Sequence, residues 1–150
     1  AICNIERLEK ELKQAKNVLI IGDNAGETVF DRILIAQFAH LDTTYAVRSG
    51  PAINDATLED AHASGLDECS RLISTGCNVP GVILDECSKE FLDIFCGADI
   101  VICKGQGNYE SLSEYNKRSM FFLLKAKCSV LARLLGVSIN DYVFKWNNIA

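Results

Sequence analysis

At 150 residues, 49% hydrophobic and 23% charged, the chain has the size and apolar content of one globular domain with a substantial core. The formal net charge of −5 argues against a nucleic-acid partner, which needs clustered Lys and Arg, and no apolar run approaches the length of a membrane span. An acidic chain that binds an anion must do so through a few local cations or a metal.

Taken in chain order, residues Ile2 to Ala15 place Ile2, Ile5, Leu8, Leu12 and Ala15 three and four apart, with Glu6–Lys10 and Glu9–Lys13 in favourable i, i+4 order. The spacing predicts an amphipathic helix. Its charged residues do not resemble a secretory leader. Val18 to Ile21 is a short, largely β-branched run ending at Gly22, the pattern of a strand buried on both faces. A helix that buries Val29, Phe30, Ile33, Leu34 and Phe38 is expected next, then a strand over Thr43 to Val47. Thr57 to Ser64 reads as a short helix stopped by Gly65, and Arg71 to Ser74 as a strand. Ser88 caps a helix through Phe95, with Gly97 just past its end. Ile100 to Cys103 is a strand, Tyr109 to Tyr115 a short helix, Met120 to Leu124 a strand and Ser129 to Leu135 a helix closed by Gly136. Tyr142 to Phe144 is a candidate last strand. Repeated β-then-α units predict a mostly parallel sheet covered by helices on both faces, in one domain.

Ligands of such sheets gather beyond the carboxyl ends of the strands. The loops expected there are Gly22-Asp23-Asn24-Ala25-Gly26-Glu27, Arg48-Ser49-Gly50-Pro51 with Asn54-Asp55-Ala56-Thr57, Ser74-Thr75-Gly76, and Lys104-Gly105-Gln106-Gly107-Asn108. Asp23 and Asp55 would then face neighbouring loop mouths. Two carboxylates about 4 Å apart repel by roughly 4 kcal/mol at an effective dielectric near 20, so they share a proton or bind a cation. Asn24 and Asn54 add neutral oxygen donors, and a set without nearby His or Cys suits a hard ion such as magnesium or manganese. Otherwise Asp23 caps the following helix and Asp55 makes a turn. Lys104, with Gly105 and Gly107 at a strand-to-helix junction, either cradles an anion or is a solvated loop lysine. The order of residues is neither the nucleotide-hydrolase phosphate loop nor the dinucleotide fingerprint.

Arg48 pairs with a phosphate or with a surface acid, and Glu27 serves the pocket or simply the helix dipole. His40 and His62 lie away from this rim, and no nucleophile elbow is present. Seven scattered cysteines, without a two-residue spacing, read as small apolar residues in a reducing compartment, the cytoplasm.

The loop motifs, in this order from about Asn17 to about Val143, strongly resemble the damage-control phosphatases, also known as domain of unknown function 89. The resemblance implies a Rossmann-like three-layer α/β/α core and a divalent ion (Mn, Mg, Co or Ni) held by Asp23, Asn24 and Asp55. It implies a catalytic set of Asp23, Asn24 and Lys104. It also points to a substrate-binding set of Glu27, Arg48, Asn54, Ser74, Thr75, Gly76, Lys104, Gly105 and Asn108. The implied reaction is hydrolysis of phosphate monoesters of small, often damaged metabolites such as sugar phosphates. One branch of the family is described as a carboxyl methyltransferase, so a transferase using S-adenosylmethionine stays open, as does a non-catalytic metal or phosphometabolite binder. Family members of this type carry a further helical region before the first motif. With Ala1 already inside a helical pattern and Met120 the sole methionine, the chain is expected to be part of a longer product. The expected partners are a small phosphorylated metabolite and either that N-terminal helical segment or a second copy of the chain.

Overall fold

In the computed structural model, which describes residues 2–147, six strands form one sheet. They are β1 (Asn17–Ile21), β2 (Asp42–Val47), β3 (Arg71–Ser74), β4 (Ile100–Lys104), β5 (Met120–Lys125) and β6 (Tyr142–Asn147). The spatial order is β3-β2-β1-β4-β5-β6; the first five run parallel and β6 pairs antiparallel with β5. Before β1 lies α1 (Ile5–Leu12), and between the strands lie α2 (Thr28–Ala36), α3 (Leu58–Ala63), α4 (Lys89–Gly97), α5 (Gln106–Leu112) and α6 (Ser129–Leu135).

Side chains alternate across a strand, so β1 feeds two cores. Val18 and Ile20 join Leu8, Ile35, Phe38 and Ala61 beneath α1, α2 and α3. Leu19 and Ile21 join Phe91, Phe95, Leu112 and Leu131 beneath α4, α5 and α6. The result is the expected three-layer α/β/α sandwich. Residues 18–21 are almost fully buried because both faces of this central strand are covered, which is why the run is apolar without alternation.

Several local expectations hold in detail. Thr57 and Asp60 form a reciprocal capping box at the start of α3. The Ser88 hydroxyl accepts from the Phe91 N–H at the start of α4. The last strand is longer than its apolar core suggested, reaching Asn147 through a full antiparallel ladder.

Other expectations are corrected. The first helix begins at Ile5, because Cys3 bridges Phe144 and the residues before the helix hydrogen-bond to β6 instead. The i, i+4 ion pair on it among the described residues is Arg7–Glu11. On α2 the buried positions are Thr28, Asp31 and Ile35, followed by Phe38, whereas Val29, Phe30 and Ile33 are exposed. A 3-10 turn over Ala25–Glu27 leads directly into this helix, and the face toward the sheet carries Asp31, whereas hydrophobicity alone would have turned Val29, Phe30 and Ile33 inward. The fifth helix starts at Gln106, three residues earlier than its apolar spacing implied, so the supposed loop after β4 is mostly a first helical turn. Among the cysteines, Cys77 and Cys103 are buried, Cys3 and Cys96 are exposed, and all seven are free thiols. No helix among the described residues is long and apolar enough to cross a membrane.

Candidate active site at the switch point of the sheet

From β1 the chain connects leftward to β2, whereas β4 lies on the other side of β1, so strand order reverses between β1 and β4. The carboxyl ends of these two strands therefore open a crevice. Gly22-Asp23 leaves one lip and Lys104-Gly105 the other.

The β1 loop is pinned to the β2 loop by backbone bonds. Asn24 and Asp55 form an antiparallel bridge, the Ala25 N–H donates to the Asn54 carbonyl at 2.9 Å, and the Ala56 N–H donates to the Asp23 carbonyl at 2.7 Å. This ribbon brings Asp23, Asn24, Asn54 and Asp55 together, although Asn24 and Asp55 stand 31 positions apart in the chain. The Asn24 amide donates to Asp23 Oδ2 at 3.0 Å and to Glu27 Oε1 at 2.6 Å, while its oxygen accepts from Asn54 Nδ2 at 2.7 Å. Gly105 closes the other side at φ +83°, and a Cβ there would fall inside the Asp23 carboxyl group, so only glycine lets the two lips meet.

Charge in this corner is unbalanced. Burial, followed by the Glu27 and Asp55 carboxylates, pushes Asp23 from an ordinary 3.8 up to about 6. Lys104, 6% exposed, gives its ammonium to Glu27 Oε2 at 2.6 Å and to Asp31 Oδ1 at 2.5 Å. Burial pulls the Lys104 amine down, but the Asp31 and Glu27 carboxylates outweigh it and leave the group above its usual value. Burial pushes Glu27 up, and its bonds from Lys104 and Asn24 more than reverse this, leaving it below the usual carboxylate range.

Beneath the rim lies a second, buried constellation. Arg48 donates from Nε to Asp55 Oδ2 at 2.8 Å and from Nη2 to Asn108 Oδ1 at 2.9 Å. The Asn108 amide in turn donates to the carbonyls of Gly22 and Lys104. Arg48 and Asn108 were expected to face substrate; they are 2% and 0% exposed and tie β1, β2 and β4 together from below. In the third loop Thr75 is turned inward, Ser74 is half-buried and Gly76 is exposed. Thr75 is fully buried and its hydroxyl donates to the Cys77 carbonyl, while the Ser74 hydroxyl accepts from the Gly76 N–H. No hydrogen bond or ion pair among the described residues joins Ser74, Thr75 or Gly76 to Asp23, Asp55 or Lys104.

A cavity of about 220 Å³ opens over the crevice, lined by Asp23, Glu27, Lys104, Gly105, Gln106, Lys127 and Tyr142 among others. Lys127 and Asp31 were missed by the sequence reading. Lys127 follows β5, whose carboxyl end lies on the same rim, and extending the strand-end rule one strand further would have found it. Asp31 was hidden by the apolar residues around it; its spacing from Thr28 and Ile35 was the available signal.

Among the described residues no group of three His, Cys, Asp or Glu side chains has metal-binding geometry. Two carboxylates and an amide are nevertheless the hard oxygen chemistry that magnesium or manganese takes with water completing the shell. The elevated Asp23 marks a corner that a cation would relieve. The residues fit, with one condition: the Asn24 amide presents its nitrogen to the acids and must turn over to offer oxygen.

Comparison with known proteins agrees with this architecture. The model of the damage-control phosphatase ARMT1-like domain matches residues 1–143. The chain is 47% identical over 135 residues to the damage-control phosphatase PH1575 of Pyrococcus horikoshii, covering 88% of this chain and 47% of that protein. It is 44% identical over 149 residues to the uncharacterized protein MJ0202 of Methanocaldococcus jannaschii, covering 95% of this chain and 49% of that one. A damage-control phosphatase of Archaeoglobus fulgidus is 39% identical over 147 residues, 96% of this chain and 50% of its own length. The crystal structure of the duf89 family protein ph1575 superposes with a TM-score of 0.93 at 45% identity, over 98% of this chain and 53% of that one. The chain thus spans about half the length of the curated relatives it matches. It belongs to the damage-control phosphatase ARMT1-like domain family.

Proposed function

We propose that the chain carries the catalytic face of a divalent-metal-dependent phosphatase for monoesters of small phosphorylated metabolites, sugar phosphates among them. The observation that carries the reading is the pairing, across one crevice, of an over-acidic corner (Asp23, Asp55, Glu27) with the buried ammonium of Lys104. Two relatives named damage-control phosphatase support it.

Asp23, Asp55 and a turned Asn24 would hold the ion, which supplies charge neutralisation at phosphate oxygens. Phosphate monoester hydrolysis is among the slowest uncatalysed reactions, so positioning and charge stabilisation must supply most of the acceleration. Lys104 meets the phosphate from the β4 lip, and the exposed Lys127 adds a second cation from the β5 end. Arg48 orients Asp55 by occupying one carboxylate oxygen, which leaves the other for the crevice. Asn108 fixes the spacing of the two lips through the Gly22 and Lys104 carbonyls. Asp23 holds its proton up to about pH 6 in the absence of an ion, so binding of a cation near neutrality releases the remaining proton and tightens as pH rises. The free thiols suit a reducing compartment, and we place the protein in the cytoplasm.

The test is phosphate release from a panel of sugar phosphates and an aryl phosphate in Mg, Mn, Co and Ni, with and without chelator. Ion-dependent turnover lost in Lys104→Ala is expected. Tight, ion-independent binding of S-adenosylmethionine with no phosphate release would replace the reading with the methyltransferase one.

A further inference from the structure

Asp31 sits on the inner face of α2, 3% exposed, where an unpaired acid would carry a heavy desolvation cost. Both of its oxygens are engaged by groups from other elements. Oδ1 accepts from the Lys104 ammonium of β4 at 2.5 Å, and Oδ2 accepts from the Tyr45 hydroxyl of β2 at 2.5 Å. Tyr45 is itself wedged: it is 0% exposed, and a Cβ on Gly22 would come within 2.6 Å of its hydroxyl oxygen. Burial, reinforced by the Asp31 carboxylate, raises the phenol above its usual value, so it remains a donor at all physiological pH.

The other partner of Lys104 is of a different kind. Glu27 is 39% exposed at its side chain and shares itself with Asn24, so it can yield when an anion enters the cavity. Asp31 cannot, because turning its carboxyl group breaks two buried bonds at once. An ammonium has three N–H bonds, and two are taken here, which leaves the third and the one lent to Glu27 for an incoming anion.

Resting on the phosphatase reading above, we infer that Asp31, backed by Tyr45, is the positioning residue that fixes the Lys104 ammonium toward the phosphate site. It touches no substrate. It holds one N–H of Lys104 inward so that the remaining two point outward, and a small displacement of such a group costs up to about 100-fold in rate.

Tyr45→Phe deletes one hydroxyl and keeps the ring, and Asp31→Asn keeps the shape but not the charge. Inorganic phosphate binding is measured by calorimetry on Mn-loaded protein, beside Mn affinity, melting temperature and aryl phosphate turnover. The inference expects phosphate affinity to fall roughly 5- to 10-fold in Tyr45→Phe and more in Asp31→Asn, with Mn affinity unchanged. A structural role alone would lower the melting temperature and leave phosphate affinity of the folded fraction at the wild-type value, which overturns the inference. If wild-type protein binds phosphate yet hydrolyses no ester, the catalytic reading falls while the positioning role still stands or falls on the affinities. Absence of phosphate binding by folded, Mn-loaded wild type overturns both.

Discussion

Asp23→Asn separates what the acidic corner does for function from what it does to stability. Asp23 is lifted from 3.8 to about 6 by burial and by two neighbouring carboxylates. One pKa unit corresponds to about 1.4 kcal/mol, and with the discount due to a partly solvated group the shift represents ~1–2 kcal/mol. The folded state holds this proton more tightly than the unfolded chain does. Its stabilising effect is therefore complete below about pH 4 and is lost as pH rises through about 6. Without added ion, the Asn variant should be more stable than wild type by ~1–2 kcal/mol at pH 7.5 and nearly equal at pH 4. Urea denaturation in chelator at the two pH values reads the difference directly, and the same preparation should show no metal-dependent turnover. A variant that is no more stable at pH 7.5, or that gains equally at both pH values, would refute the reasoning.

Two further substitutions probe the scaffold of the site. Arg48→Ala leaves Asp55 and Asn108 buried without their shared partner and should destabilise the fold by about 3–5 kcal/mol in the same urea assay. Gly105→Ala forces a left-handed backbone onto alanine and drives a methyl group into the Asp23 carboxyl; a stability loss of about 1–3 kcal/mol with abolished Mn binding is expected, checked by melting and ion titration.

Much of this arrangement was legible in the chain. Apolar runs such as Val18 to Ile21 and Ile100 to Cys103 announced central strands, and the rule that ligands sit beyond strand ends pointed to Asp23, Asp55 and Lys104. Burial was harder to read. Polar residues in rim loops look solvent-facing in a sequence, yet Arg48 and Asn108 are interior because they satisfy carboxylate, amide and backbone groups of other strands and loops, and Thr75 is interior with its hydroxyl bonded to Cys77 of its own loop. The orientation of α2 failed for the converse reason: the helix turns Val29, Phe30 and Ile33 outward so that Asp31 can meet Lys104 and Tyr45, a tertiary bond signalled in the chain by nothing more than the spacing of Asp31 from Thr28 and Ile35. The early start of α5 follows from the tight turn at Gly105, which leaves no room for a loop.

In the proposed site Asp23, Asn24 and Asp55 hold a divalent ion beside Lys104. Equilibrium titration of chelator-stripped protein with Mn, following the free-ion signal by electron paramagnetic resonance, addresses it most directly. One bound ion per chain is expected, with affinity reduced at least ~10-fold in both Asp23→Asn and Asp55→Asn, since loss of even an outer-shell partner of a metal ligand costs that much. Binding of equal strength in wild type and both variants, or none in any of them, would contradict the account.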